Sequence, residues 1–142
     1  MGALRVYVLP LLLGLLGGAA LLMALPSPEA GAHPAQAAPA AGFDGGGPWH
    51  NSPPLALNQL RGQVVLVEFW TYACSNCLTV APHVHQWHAR YARQGLQVIG
   101  VHTPEFAYEG LPGNVRKAIA RLGITWPVVQ GNQYRIWDAW GN

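Results

Sequence analysis

Two cysteines, Cys74 and Cys77, follow the apolar run Val64-Val65-Leu66-Val67-Glu68-Phe69-Trp70 after a gap of three residues. A continuous run rich in β-branched residues reads as a strand buried on both faces. From Ser75 to about Arg93 the pattern turns helical. Cys77, Val80, Val84, His88 and Tyr91 fall on one face at spacings of three and four, flanked by Ala81 and Trp87. The dithiol therefore lies where a buried strand hands over to a helix. Helix-start N–H groups and the helix dipole favour a thiolate there. A second thiol three residues on can displace whatever the first captures. The spacing predicts thiol–disulfide exchange.

Position assigns the roles within the pair. Cys74, at the exposed helix start, is expected to attack. Cys77, one turn in on the buried face, is expected to resolve, with the higher pKa of the two. Ser75 and Asn76 fill the gap, where they would tune the reduction potential and, with Trp70 bordering the site, meet the substrate. Glu68 interrupts the apolar strand six residues before Cys74. Unpaired burial raises a carboxyl pKa, which suits Glu68 to take the proton from Cys77. The competing reading of Glu68 is a solvated carboxylate at a sheet margin.

Two other uses of the cysteine pair, a metal site and a structural disulfide, fit the sequence less well. A zinc site needs further ligands, but His85 and His88 lie roughly 12 and 16 Å along the helix from Cys77, too far to share one ion. A purely structural disulfide across so short a loop constrains the unfolded chain little. No metal and no cofactor is expected.

The chain of 142 residues suits one domain. With a net charge of +2 and 10% charged residues it carries no nucleic-acid footprint; Arg90, Arg93, Arg116, Lys117 and Arg121 read as solvated helix faces. Residues 1–32 read as a signal peptide or an amino-terminal membrane anchor. Val6 to Leu25 is almost wholly apolar after Arg5, and Ala30 and Ala32 meet the small-x-small requirement of a signal peptidase. The run is long for a cleaved segment and nearly spans a bilayer, so both readings stay open. Either places the domain outside the cytoplasm, where disulfides form. The 33–48 stretch of Ala, Gly and Pro is expected to be a disordered tether, and 49–142 the folded domain.

Within that domain Leu55–Leu60 suggests a helical turn closed by Gly62, and Leu96–Val101 a second strand. His102–Leu111 is a loop in which Glu105 and Glu109 are expected to be solvated, the alternative being that they face the rim of the site. Asn114–Leu122 is a helix capped by Asn114 and stopped by Gly123. Trp126–Gln130 is a short strand whose Pro127 suits an edge, and Asn132–Trp140 a third helix. His83 and His85 should face outward and His88 inward. Trp87 and Trp126 are expected in the core, with Trp70 and either Trp137 or Trp140 near the active-site surface. Strands alternating with helices give an α/β domain with a mainly parallel sheet.

The stretch Val65 to Pro82, with its acid at Glu68, Phe69-Trp70, Cys74-Ser75-Asn76-Cys77 and helix-kinking Pro82, resembles the thioredoxin superfamily without a gap. Asn51-Ser52-Pro53-Pro54-Leu55, Leu60-Arg61-Gly62, Gly100 to Phe106 and Trp140-Gly141-Asn142 are similar to its exported redoxin branch, the TlpA/ResA-type proteins and the periplasmic domain of DipZ-like proteins. The resemblance implies a thioredoxin-like fold and an extracytoplasmic thiol–disulfide oxidoreductase that reduces disulfides in exported proteins. Its electrons would come through a CcdA/DsbD-like membrane partner. It also implies Cys74 as nucleophile, Cys77 as resolving cysteine and Glu68 as buried acid. Relatives continue past the Trp-Gly-Asn with a cis-proline, two strands and a helix, so a fragment or truncated chain lacking them is expected, with an unpaired edge beside Val64–Trp70. Two rivals remain: a thiol peroxidase, suggested by Thr71 three residues before Cys74, and a non-catalytic binding module.

Overall fold

The computed structural model describes residues 40–142; the apolar run and residues 33–39 lie outside the described residues. Four strands, β1 (Trp49–His50), β2 (Val64–Trp70), β3 (Leu96–His102) and β4 (Val128–Gln130), form one sheet in the order β1-β4-β3-β2. The helices are α1 (Ser75–Tyr91), α2 (Pro112–Arg121) and α3 (Arg135–Ala139). β2 and β4 each run parallel to β3, while β1 is antiparallel to β4. This is the α/β, thioredoxin-like arrangement expected, a mixed sheet flanked by helices.

Alternation along the strands builds two apolar layers. Trp70 and Val98 point to the side where Val84 of α1 and Val115 and Ile119 of α2 close over Trp126. Ile99, Val101 and Val129 point to the other, against Leu60 and Ile136 of α3. Gly100 stands where the first layer is tightest: a Cβ there would meet the indole nitrogen of Trp70 at 2.8 Å. The turn into β3 also needs glycine, since Gly95 ends the helical segment at φ +97.

Four expectations change. β2 is not buried on both faces, with Val64 70% exposed and Val65 to Phe69 half-buried, although its place at the outer edge of the sheet among the described residues is the unpaired edge expected there. β4 is not an edge. Pro127 precedes its ladder and offers only a carbonyl, to the Gly100 N–H at 2.9 Å, so its missing N–H breaks nothing and β1 can cover the far side. The tether does not extend to residue 48. Phe43 is 6% exposed, packed edge-on to Trp49 and stacked on Trp140, and the Gly47 N–H donates to Gln130 O at 2.8 Å. α2 begins at Pro112, a residue pre-shaped for a first helical turn, and Asn114 instead donates to Tyr108 O at 2.9 Å.

Helix α1 buries a narrower stripe than its periodicity suggested. Cys77, Ala81, Val84, His85 and His88 face inward, whereas Val80 and Trp87 are 45% and 44% exposed. His85 is the clearest departure. It packs against Trp126 with ring centroids 4.7 Å apart and bonds Leu122 O at 3.0 Å, so it is a packing residue and not an outward one. Trp126, at 1% exposure, is core.

Candidate redox site

The chain leaves β2 at Trp70 and enters α1 at Ser75, which delivers both thiols to one end of the sheet. Cys74 takes an extended conformation (φ −73, ψ 115) and is the N-cap: its Sγ accepts the Cys77 N–H at 3.2 Å. That places the first sulfur on the positive end of α1, where negative charge is stabilised. Cys77 packs half-buried against the α1/α2 apolar layer. Its thiol is pushed up to about 11, first by burial and then by the hydrogen bond it shares with Cys74. The pair is thus asymmetric, with the inner thiol holding its proton. Both are free thiols.

A cleft of about 210 Å³ opens beside them, lined by Cys74, Cys77, Trp70, Glu105, Tyr134 and Trp137 among others. A larger cleft, between residues 42–49 and 54–59, holds no thiol. Of the residues expected to meet substrate, Trp70 lines the smaller cleft although only 5% exposed. Ser75 and Asn76 sit exposed on the helix start, outside its lining. Trp137 belongs to the cleft; Trp140 does not, being turned to Phe43 with its indole N–H on Gly42 O at 3.0 Å.

Glu68 lies on the same face of β2 as Leu66 and Trp70, the face that packs toward Cys77. Burial lifts its carboxyl to about 7, with no charged neighbour to offset it. The folded chain therefore holds a proton there that the unfolded chain releases from pH 4.5 upward, and stability falls as pH rises from 4.5 to 7. Glu68→Gln should consequently stabilise the domain by about 2 kcal/mol at pH 8, the gain vanishing below pH 4.5. Urea unfolding of parent and variant across this range reads it, because every other titration cancels in the difference.

Beneath the cysteines lies a polar cluster whose burial the sequence did not reveal. Glu109, expected in a solvated loop, is 0% exposed. Its Oε1 accepts the Thr71 hydroxyl and the Ala73 N–H (3.1 Å), and its Oε2 accepts the N–H groups of Glu105 (2.8 Å) and Phe106 (3.0 Å). Burial disfavours the charge, but these four bonds outweigh it and hold the carboxyl below its ordinary value. Thr71 has one proton and gives it to Glu109, so His102 Nε2, 3.3 Å from the Thr71 oxygen, must be the donor in that contact. His102 is accordingly neutral: burial lowers it to about 4, and its ring packs between Trp70 and Tyr72. The available signal was a Glu three residues after Phe106, the spacing at which an acid reaches back to a turn's first N–H.

Thr71 is therefore committed to Glu109, and no Lys or Arg lines the cysteine cleft. Among the described residues no three His, Cys, Asp or Glu side chains converge as a metal site, and no helix is long and apolar enough to cross a membrane.

Comparison with known proteins agrees with this geometry. The chain is 50% identical over 97 residues to protein DipZ of Mycobacterium tuberculosis, covering 66% of this chain and 14% of that protein. It is 29% identical over 85 residues to the thiol-disulfide oxidoreductase ResA of Geobacillus thermodenitrificans, covering 60% of this chain and 46% of ResA. The chain thus spans less than half the length of either relative. Among solved structures, a thioredoxin-like protein in its oxidized form superposes with a TM-score of 0.60 at 28% identity, covering 66% of this chain and 63% of that one. A sequence profile of the AhpC/TSA family matches residues 36–142. With its thioredoxin-like fold, this chain belongs to the AhpC/TSA family.

Proposed function

We propose that the chain is an extracytoplasmic thiol–disulfide oxidoreductase that reduces disulfides in exported proteins. The observation that carries this reading is the asymmetry of the pair. Cys74 Sγ caps α1, while Cys77 is half-buried behind it and keeps its proton. The Cys74 thiolate attacks a substrate disulfide, forming a mixed disulfide and expelling one substrate sulfur as thiolate, which solvent protonates. Glu68, poised near neutrality, takes the Cys77 proton. Cys77 then attacks Cys74 Sγ, closing the internal disulfide and releasing the second substrate sulfur. The substrate gains two electrons and two protons; the dithiol loses them.

The apolar segment before the domain supports delivery outside the cytoplasm, as a cleaved leader or as an anchor. Oxidised cysteines need an electron source, a role we assign to a CcdA/DsbD-like membrane donor. The peroxidase reading has less support: a peroxide-reactive thiolate needs an electropositive surround, and the cleft offers only a carboxylate as its charged group. Insulin reduction with dithiothreitol as electron source tests the proposal. The parent should accelerate precipitation of the insulin chains and consume hydrogen peroxide no faster than free cysteine. If protein alkylated at both thiols performs as well as the parent, the exchange reading fails.

A further inference from the structure

The cysteine cleft has one formally charged side chain in its lining, Glu105, and no Lys, Arg or His to pair with it. The rest of the wall is sulfur, hydroxyl and aromatic ring. Glu105 is exposed, yet its backbone is fixed at three successive residues. The Tyr134 hydroxyl donates to Pro104 O, and Glu109 Oε2 accepts the N–H groups of both Glu105 and Phe106. A carboxylate is thus presented at the cleft on a rigid mount.

We infer that this cleft selects disulfides flanked by lysine or arginine, the substrate cation pairing with Glu105 as its sulfur reaches Cys74. This names the substrate class of the exchange proposed above and rests on that reading. Tyr134 and Trp137 line the same cleft, and aromatic rings offer a cation a second attraction. The chain's net charge of +2 works the other way, but at physiological salt it is screened beyond about 8 Å, whereas the Glu105 contact is local. Pairing also acts on the chemistry. The Glu105 charge is the smallest of the influences that keep Cys77 protonated, behind burial, the bond to Cys74 and the charge of Cys74. A bound cation offsets that charge, easing loss of the Cys77 proton when the mixed disulfide must resolve.

The test uses three peptide disulfides of equal length whose flanking residues are basic, neutral or acidic, with reduction by the chain followed at low and high salt. The basic peptide should be reduced about tenfold faster than the acidic one at low salt, and high salt should shrink the ratio. In Glu105→Gln the ratio should fall toward one, and in Glu105→Lys it should invert. The ratio is the readout because it cancels any common change in Cys77. Equal parental rates for basic and acidic peptides, or a ratio unmoved by either substitution, would overturn the selection and leave exchange standing. Failure to reduce any of the three would remove the exchange reading and this inference together.

Discussion

Cys74→Ser should lower the rate of disulfide reduction by about 10³-fold or more, whereas Cys77→Ser should react once per chain and stop at a mixed disulfide. The difference follows from where each sulfur sits. Cys74 Sγ is the atom at the start of α1 that accepts the Cys77 N–H, and a serine oxygen there keeps the cap but is no nucleophile toward a disulfide. Cys77 is half-buried and its thiol lies near 11, so it cannot open the attack when Cys74 is gone. Without Cys77, nothing lies one turn behind Cys74 to displace the captured substrate. Mass spectrometry of the protein after reaction with a peptide disulfide distinguishes the cases. The expected adduct is one peptide per Cys77→Ser chain and none on Cys74→Ser. The opposite pattern would exchange the roles of the two sulfurs.

The local code for this site was strong where a single element decided the outcome. Val64 to Pro82 specified strand, turn and helix start because hydrophobic period and the Cys spacing agreed. It was weaker wherever a distant partner decided. The apolar composition of β2 reads as a central strand; only the resemblance to longer relatives implied the unpaired edge that β2 presents among the described residues, since strand order is set by crossovers and not by composition. Phe43 stood alone among Ala, Gly and Pro, and its burial depends on Trp49 and on Trp140, nearly a hundred residues away. Glu109 was legible as a turn residue but not as a buried one. Three of its four donors were foreseeable only as loop backbone, and the fourth, Thr71, drew attention for a different chemistry.

Glu109 is also where substitution should damage the fold most. In Glu109→Ala four donors lose their acceptor at a site without solvent exposure. Each orphaned donor costs roughly 1–3 kcal/mol, and water entering the vacated volume recovers part, which leaves about 3–5 kcal/mol. That is a large share of the roughly 5–15 kcal/mol that holds a domain together. Glu109→Gln should cost less, for a geometric reason. With its oxygen turned to the Glu105 and Phe106 N–H groups and its amide turned to the Thr71 oxygen, the Ala73 N–H is left unpaired, while the Thr71 hydroxyl regains an acceptor once His102 takes its other tautomer and accepts at Nε2. Ala73 adjoins the nucleophile, so the Gln variant should remain folded yet lose rate, by about tenfold, as the approach to Cys74 loosens. Acidity should mimic the substitution. The Glu109 carboxyl is lowered in the folded chain, so its contribution is present above the unfolded carboxyl range and is lost as pH falls through the folded value. His102, held near 4 against 6.5, adds a loss of the same sign between those two values. Denaturant unfolding at pH 7 should rank parent above Gln above Ala, and the gap between parent and Ala should narrow in acid. A gap that widens there would mean that the carboxylate charge is not what binds the two loops.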